Sequence, residues 1–310
     1  MTGHARGIAF ASGTAVISGV AIFLNARGVR AAGDATVYTT AKNLVAAGVL
    51  VTVVLAGSGR LRRDDRTLFP VRGRTAAGML AIAVIGGSVP FVLFYEGLAT
   101  ESSTHAAFLQ KTLVVWVALL ALPLLGERAG VLQAAAVALL VAGQAFADGG
   151  LPVFRFGTGE LMILAATLLW SVEVIVARRL LPRVEPLVLG TSRMALGAVI
   201  LVAWDAVSGR WRVLTGLDGR AWGWAALTGA ILACYVAGWF VALSLAPAVD
   251  VTAVLSVGAL VTAALSALDT GSAPSAAEAG GLAVLFAGAA LVVAATRRRE
   301  RARVPESAAA

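Results

Sequence analysis

The sequence holds one cysteine, Cys234, in 310 residues. A disulfide within the chain is excluded, and a redox or cysteine-ligated metal role has nothing to build on. Histidine is almost as scarce, with two residues, and only two of the 25 basic side chains are lysine. No Gly-x-x-x-x-Gly-Lys-Ser/Thr stretch occurs, so an ATP-driven pump is unsupported. Asp64-Asp65 lie in a basic stretch without the second acidic cluster that a metal-diphosphate site needs, and Gly33-Asp34 stands alone. No catalytic set survives inspection. The chain does not read as an enzyme, and it calls for no cofactor and no metal.

What is abundant is apolar. Hydrophobic residues make up 59% of the chain, and the mean hydropathy is +0.87. Soluble domains sit near ~45–50% apolar. Runs of ~20 apolar residues recur along the chain, each long enough to cross a hydrocarbon core ~30 Å thick. They are continuous and rich in Ala, Leu, Val and Gly, which excludes the alternating pattern of an outer-membrane barrel. The expected class is an all-α integral membrane protein with ten transmembrane helices. They fall at about 7–26, 34–56, 76–95, 99–122, 130–147, 158–179, 186–206, 221–244, 248–268 and 278–296. The first run follows Arg6 but lacks a cleavage site and is followed by further spans, so it is kept as a helix and not read as a signal peptide. The segment 297–310 reads as a disordered cytosolic tail.

The net charge of +8 belongs to the loops and does not point to nucleic acid. With both termini inside, sixteen basic residues fall on the inner side and six on the outer. This places both termini in the cytoplasm. Trp204, Trp211, Trp222 and Trp224 cluster where an interface is expected.

An internal repeat is visible. Ser58-Gly59-Arg60 returns as Ser208-Gly209-Arg210, Leu98-Ala99 as Leu245-Ala246, and Ser18 as Ser171. The offsets are all near 150. Two halves follow, 1–148 and 149–296. Five spans per half is odd, so the halves insert in opposite orientations, the inverted repeat of many secondary transporters.

The three remaining basic residues lie inside spans. They are Arg193 and both lysines of the chain, Lys42 and Lys111. A charge at bilayer depth costs ~2.5–3.5 kcal/mol on insertion scales and marks a functional candidate. Lysine, unlike arginine, can also exchange its proton. Lys111 is the expected main anchor for an anionic group, and Lys42 with Asn43 the secondary one. In span four, Glu101, Thr104, His105, Phe108, Lys111, Thr112 and Val115 share one helical face, with Gln110 at its edge. Tyr38 stands one turn from Lys42. Trp116, Trp170, Tyr235 and Trp239 are further lining candidates. His105 and Glu173 are the candidates for carrying a coupling proton. Glu173 either faces the cavity or pairs with Arg178 or Arg179. Tyr95-Glu96, at the expected end of span three, read as solvated at the outer interface.

The chain resembles the ten-span, EamA-type branch of the drug/metabolite transporter superfamily. The resemblance rests on the 5+5 layout, Leu124-Leu125-Gly126-Glu127-Arg128 at the end of span four, Leu169-Trp170-Ser171 in span six and Arg193-Met194-Ala195-Leu196 in span seven. Where a second Leu-Gly-Glu would stand, this chain has Leu268-Asp269-Thr270-Gly271, and Gly258 matches Lys111. The resemblance implies alternating access by rocking of two halves, proton-coupled or exchange transport, and export across a bacterial inner membrane. The expected substrate is a small metabolite with a carboxylate or other anionic group, such as an amino acid or organic acid. The rivals are a cationic drug exporter using Glu173 and a non-transporting membrane protein. The lipid bilayer, a coupling proton and a second copy of the chain complete the expected partners.

Overall fold

A computed structural model describes residues 3–61, 73–127 and 157–271, with isolated positions within 135–142 and 276–291. The expected fifth and tenth spans, the tail and Asp64-Asp65 lie outside the continuously described stretches. Among the described residues the chain is all-helical. The elements are α1 (Gly3–Ala32), α2 (Ala35–Leu61), α3 (Gly73–Ile85), α4 (Val89–Thr100), α5 (Ser103–Lys111), α6 (Leu113–Leu125), α7 (Thr158–Leu180), α8 (Pro186–Val207), α9 (Trp211–Thr215), α10 (Gly219–Leu245), α11 (Ala248–Leu255) and α12 (Gly258–Thr270). Eight stretches are long and apolar enough to span a membrane, with α3–α4, α5–α6 and α11–α12 each counting as one.

These three spans are broken, which a hydropathy profile does not show. The first break follows from chemistry. Pro90 has no N–H to give to the carbonyl four residues back, that of Gly86. The indole Nε1 of Trp170 takes that carbonyl instead, at 3.1 Å. At the second break Thr112 donates its Oγ1 to Leu109 O at 2.6 Å, and Val115 N reaches Thr112 O at 2.9 Å. At the third, Ser256 N bonds Ala253 O and Val257 N bonds Val254 O. These are tight, three-residue bonds that locally replace the α-helical pattern.

The element ends correct several expectations. Span three runs on to Thr100, not 95, and span four opens at Ser103, capped by Ser102 Oγ accepting from His105 N. Glu101 therefore lies in the corner between α4 and α5. The stripe from Glu101 to Val115 is not one continuous helical face, because the corner and the Thr112 break divide it.

The two ends of the bundle are tied by ion pairs. At one end Glu127 takes backbone N–H groups of Ala248 (3.1 Å) and Val249 (3.4 Å) and pairs with Arg178 (3.3 Å). A carboxylate there meets the positive end of α11. His4 and the buried Asp250 join them at 3.1 Å. At the opposite end Arg27 pairs with Asp269, Arg210 with Asp34 at 3.2 Å, and His105 with Glu160 at 2.9 Å. So α1 begins at the end where α7 finishes, and the two are antiparallel. Helices α6 and α12 end on Gly126 (φ 66°) and Gly271 (φ 64°), a left-handed conformation that glycine adopts without a Cβ penalty.

Across the bundle α1 lies along α10, α4 along α7, and α2 between α8 and α10. Close approach needs small residues, as at membrane helix crossings generally. At the crossing of the α3–α4 break with α8, a Cβ on Gly197 would stand 2.5 Å from Gly87 O.

Candidate functional site

The broken helices and α1, α2, α7, α8 and α10 surround a cavity near mid-height. Residues from both halves line it, and the polar ones are Ser18, Asn25, Lys42, Tyr95, Gln110, Glu173, Arg193 and Tyr235. The rest of the wall is apolar and aromatic, chiefly Phe91, Phe94, Trp170 and Trp239.

Two basic groups face each other across this space in different states. Arg193 of α8 meets Glu173 of α7. Its Nε lies 2.6 Å from Oε1, close but off-axis for a hydrogen bond, and Nη2 donates to Oε2 at 3.2 Å. Both side chains are buried. Glu173 therefore does not pair with Arg178 or Arg179, which bond the carbonyls of Leu243 and Leu124 at the end of the bundle. Lys42 of α2 has no such counter-charge. It donates to the Tyr95 hydroxyl, and its ammonium lies over the rings of Tyr95 (3.8 Å) and Phe91 (5.0 Å). Cation–π contacts of this kind contribute ~0.5–2 kcal/mol. None of the described carboxylates is within ion-pair distance of it.

The aromatic wall is braced ring against ring. Phe91 stands edge-on to Trp170 at 5.5 Å, Phe94 edge-on to Tyr95 at 5.2 Å, and Tyr235 stacks on Trp239 at 5.9 Å. The Trp170 indole is fixed by Gly86 O, so the Pro90 break also sets the shape of the wall.

The sequence candidates fall into two groups. Lys42, Gln110, Trp170, Glu173, Tyr235 and Trp239 line the cavity. Lys111, Asn43, Tyr38, Phe108, Trp116 and His105 do not. Lys111 is buried behind the wall, donating to Ser18 Oγ (2.8 Å) and Gln110 Oε1 (2.7 Å). Its stem uses the space left by Gly258, where a Cβ would stand 3.3 Å from Lys111 Cε. The two positions matched by the repeat offset thus meet in space. Asn43 donates to Gly87 O at 3.4 Å, and Tyr38 bonds Asn25 and Thr228, each at 2.7 Å. Phe108 packs beside His105, 6.1 Å between ring centres. Trp116 is half-buried, with its Nε1 unpartnered among the described residues. His105 lies at the end of the bundle with Glu160 and Glu101, all three half-buried and close enough together to share an ion.

Tyr95, Phe91, Phe94, Asn25 and Arg193 were not among the expected site residues. Tyr95 is buried on the cavity wall, not solvated at an interface. Helix α4 extends five residues past it, which sets it ~7–8 Å deeper at 1.5 Å per residue. Arg193 carried a signal, since it aligns with Asn43 at the 150-residue offset and is the only arginine well inside an expected span and not at its end.

Eight apolar spans around a buried polar cavity define a multi-pass membrane protein. The EamA-like transporter family matches residues 5–147 and again 157–294. The chain belongs to that family, within the drug/metabolite transporter superfamily, and carries two of its repeats. It is thus a membrane transporter of small molecules. One solved structure, titled only "Crystal structure of protein", has the same fold. It superposes with a TM-score of 0.70 at 18% identity, over 94% of this chain and 98% of its own. No curated protein matches.

Proposed function

We propose that this chain is a secondary transporter that exports a small anionic metabolite, such as an amino acid or organic acid, by alternating access. The observation that carries the reading is Lys42. Its buried amino group lines the cavity and lacks a carboxylate among the described residues, whereas Arg193 already has Glu173. A buried charge without a counter-charge is costly, and an incoming carboxylate would lower that cost. Lys42, not Lys111, is the anchor in this reading, with Tyr95 and Gln110 beside it. The aromatic wall would hold the apolar body of the substrate.

The antiparallel α1 and α7 and the two matched repeats support ten helices in two inverted five-helix halves. The arginine asymmetry supports cytoplasmic termini, in a bacterial inner membrane. The ion pairs at the two ends would open in turn as the halves rock.

The test is a thermal-shift screen of metabolites on purified wild type and Lys42→Met, which keeps the stem and removes the charge. Anionic ligands should stabilise the wild type and lose that effect in the variant. Cationic hits, or anionic hits that survive in Lys42→Met, overturn the reading. A second reading takes the aromatic wall as a binder of organic cations with Glu173 as the counter-charge. It requires quaternary ammonium ligands to stabilise the protein and Glu173→Gln to abolish that effect.

A further inference from the structure

One buried acid lies outside the cavity and the end-to-end ion pairs. Asp205, two residues before the end of α8, is fully buried, and neither carboxyl oxygen has a hydrogen-bond partner among the described residues. The Thr40 hydroxyl on α2 lies beside the carboxyl group and is shared with Thr36 O, to which it donates at 3.2 Å. Buried polar groups left unpaired in native structures call for a specific explanation.

The surroundings narrow that explanation. The charged groups whose fields reach Asp205 are Asp34 and Arg210, and these pair with each other at 3.2 Å. That pair roofs the site, since Arg210 N also bonds Asp205 O at 2.8 Å. From α9 and α10 come Arg212 and Arg220, both exposed. Helix α3 carries one ionisable group, Arg74, at the far end of the bundle. Along α2 the ionisable groups are Tyr38, bonded to Asn25 and Thr228, and Lys42 on the cavity wall. So no cation is free to neutralise Asp205. A bound sodium ion would need several oxygens around it, and one hydroxyl beside the carboxyl group does not supply them. A proton needs only one oxygen. As a carboxylic acid the group costs what any buried polar group costs, while the anion costs several kcal/mol more.

We propose that Asp205 is a proton-binding site, loaded while the Asp34–Arg210 end is closed and emptied when that pair parts and water reaches the α2–α8 interface. The site lies apart from the substrate cavity, so it would couple to transport through the movement of α8, which also carries Arg193. The coupling half of this proposal rests on the transporter reading above. The proton-binding half does not.

Two measurements separate them. Infrared difference spectra of the reconstituted full chain should show the carbonyl stretch of a protonated carboxyl that disappears in Asp205→Asn. If the two proteins give the same spectrum, or the wild type has no such band, Asp205 does not hold a proton and the proposal fails. In proteoliposomes, Asp205→Asn should keep substrate exchange but lose accumulation driven by a pH gradient, with gradient-driven proton flux reported by an internal pH dye. Undiminished gradient-driven accumulation in the variant overturns the coupling role. Thermal unfolding at the wild-type midpoint, or above it, shows that the variant is folded. Absence of any transport in the wild type would count against the transporter reading alone, because the infrared result still decides the proton site.

Discussion

The Arg193–Glu173 pair should respond asymmetrically to mutation. Glu173→Leu leaves a guanidinium whose side chain is 6% exposed without a counter-charge. Arginine does not give up its proton, so the charge has no escape except movement. Breaking a buried pair from one side costs ~3–5 kcal/mol. Phe91, whose ring centre is 5.2 Å from the Arg193 guanidinium, recovers ~0.5–2 kcal/mol of that at most. Arg193→Met leaves a carboxyl group that can take up a proton, so its cost should be that of an unsatisfied polar group, ~1–3 kcal/mol. The double variant, Glu173→Leu with Arg193→Met, removes both charges and should return close to the wild type, because apolar replacement of a buried pair is often neutral. Unfolding midpoints in detergent, by heat and by denaturant, measure all four proteins. Equal costs for the two single variants, or a double variant that sums them, would refute the argument that the pair is desolvated and mutually dependent.

Other perturbations follow from single contacts. Lys111→Met should leave ligand affinity within about threefold, since Lys111 is behind the wall, while lowering stability by ~1–3 kcal/mol through its two lost acceptors; calorimetric titration with the best anionic hit checks the first part. Gly197→Ala drives a methyl group against the backbone of Gly87, which cannot swing aside as a side chain can, so the loss should reach or exceed the upper end of ~1–3 kcal/mol for overpacking, read as the fraction of monodisperse protein on gel filtration. Glu127→Gln weakens the cap on α11 and the pair with Arg178, worth ~0.5–2 kcal/mol as a cap loss. If the contacts close that end of the bundle, Cys234-independent spin labels placed across it should also report a wider distance distribution.

Much of the architecture was legible because hydropathy reports burial in lipid directly. The eight described spans fall where the apolar runs predicted them. What was not legible is where helices break. Pro90 was a visible signal, since it strips Gly86 O of its donor, but its use by Trp170 depends on a residue 80 positions away. The breaks at Thr112 and Ser256 have no proline within them, and the polar stripe of span four was read through the first of these as though the helix were continuous. That is why Lys111 was expected on the cavity and is found behind it. The cavity lysine, Lys42, stood out from composition alone, because both lysines fall inside spans. Its neighbour Tyr95 did not, because an error of five residues in one helix end moves a side chain from an interface to the interior. Glu173 reads from sequence as either facing the cavity or pairing with Arg178 or Arg179; it lines the cavity, and its partner there, Arg193, comes from a helix whose azimuth a sequence does not reveal.

The repeat accounts for one basic side chain on the cavity wall without a carboxylate partner among the described residues. Helices α2 and α8 are equivalent under the 150-residue offset, and each brings a basic side chain to the same depth, Lys42 one residue before Asn43 and Arg193 at the position of Asn43 itself. Had the halves stayed alike, both cations would face the cavity in the same state. The second half carries Glu173 on α7, two residues after Ser171, and the matching position two residues after Ser18 on α1 is the uncharged Val20. One half therefore pairs its basic side chain internally, while the other has no carboxylate beside its own among the described residues. The same division recurs at the helix breaks, where Lys111 of the first half fills the space that Gly258 of the second leaves open. A twofold-symmetric substrate would waste this arrangement. In the proposed reading a molecule with one anionic group at one end and an apolar body at the other would match it, with the anion at Lys42 and the body against Trp170 and Trp239.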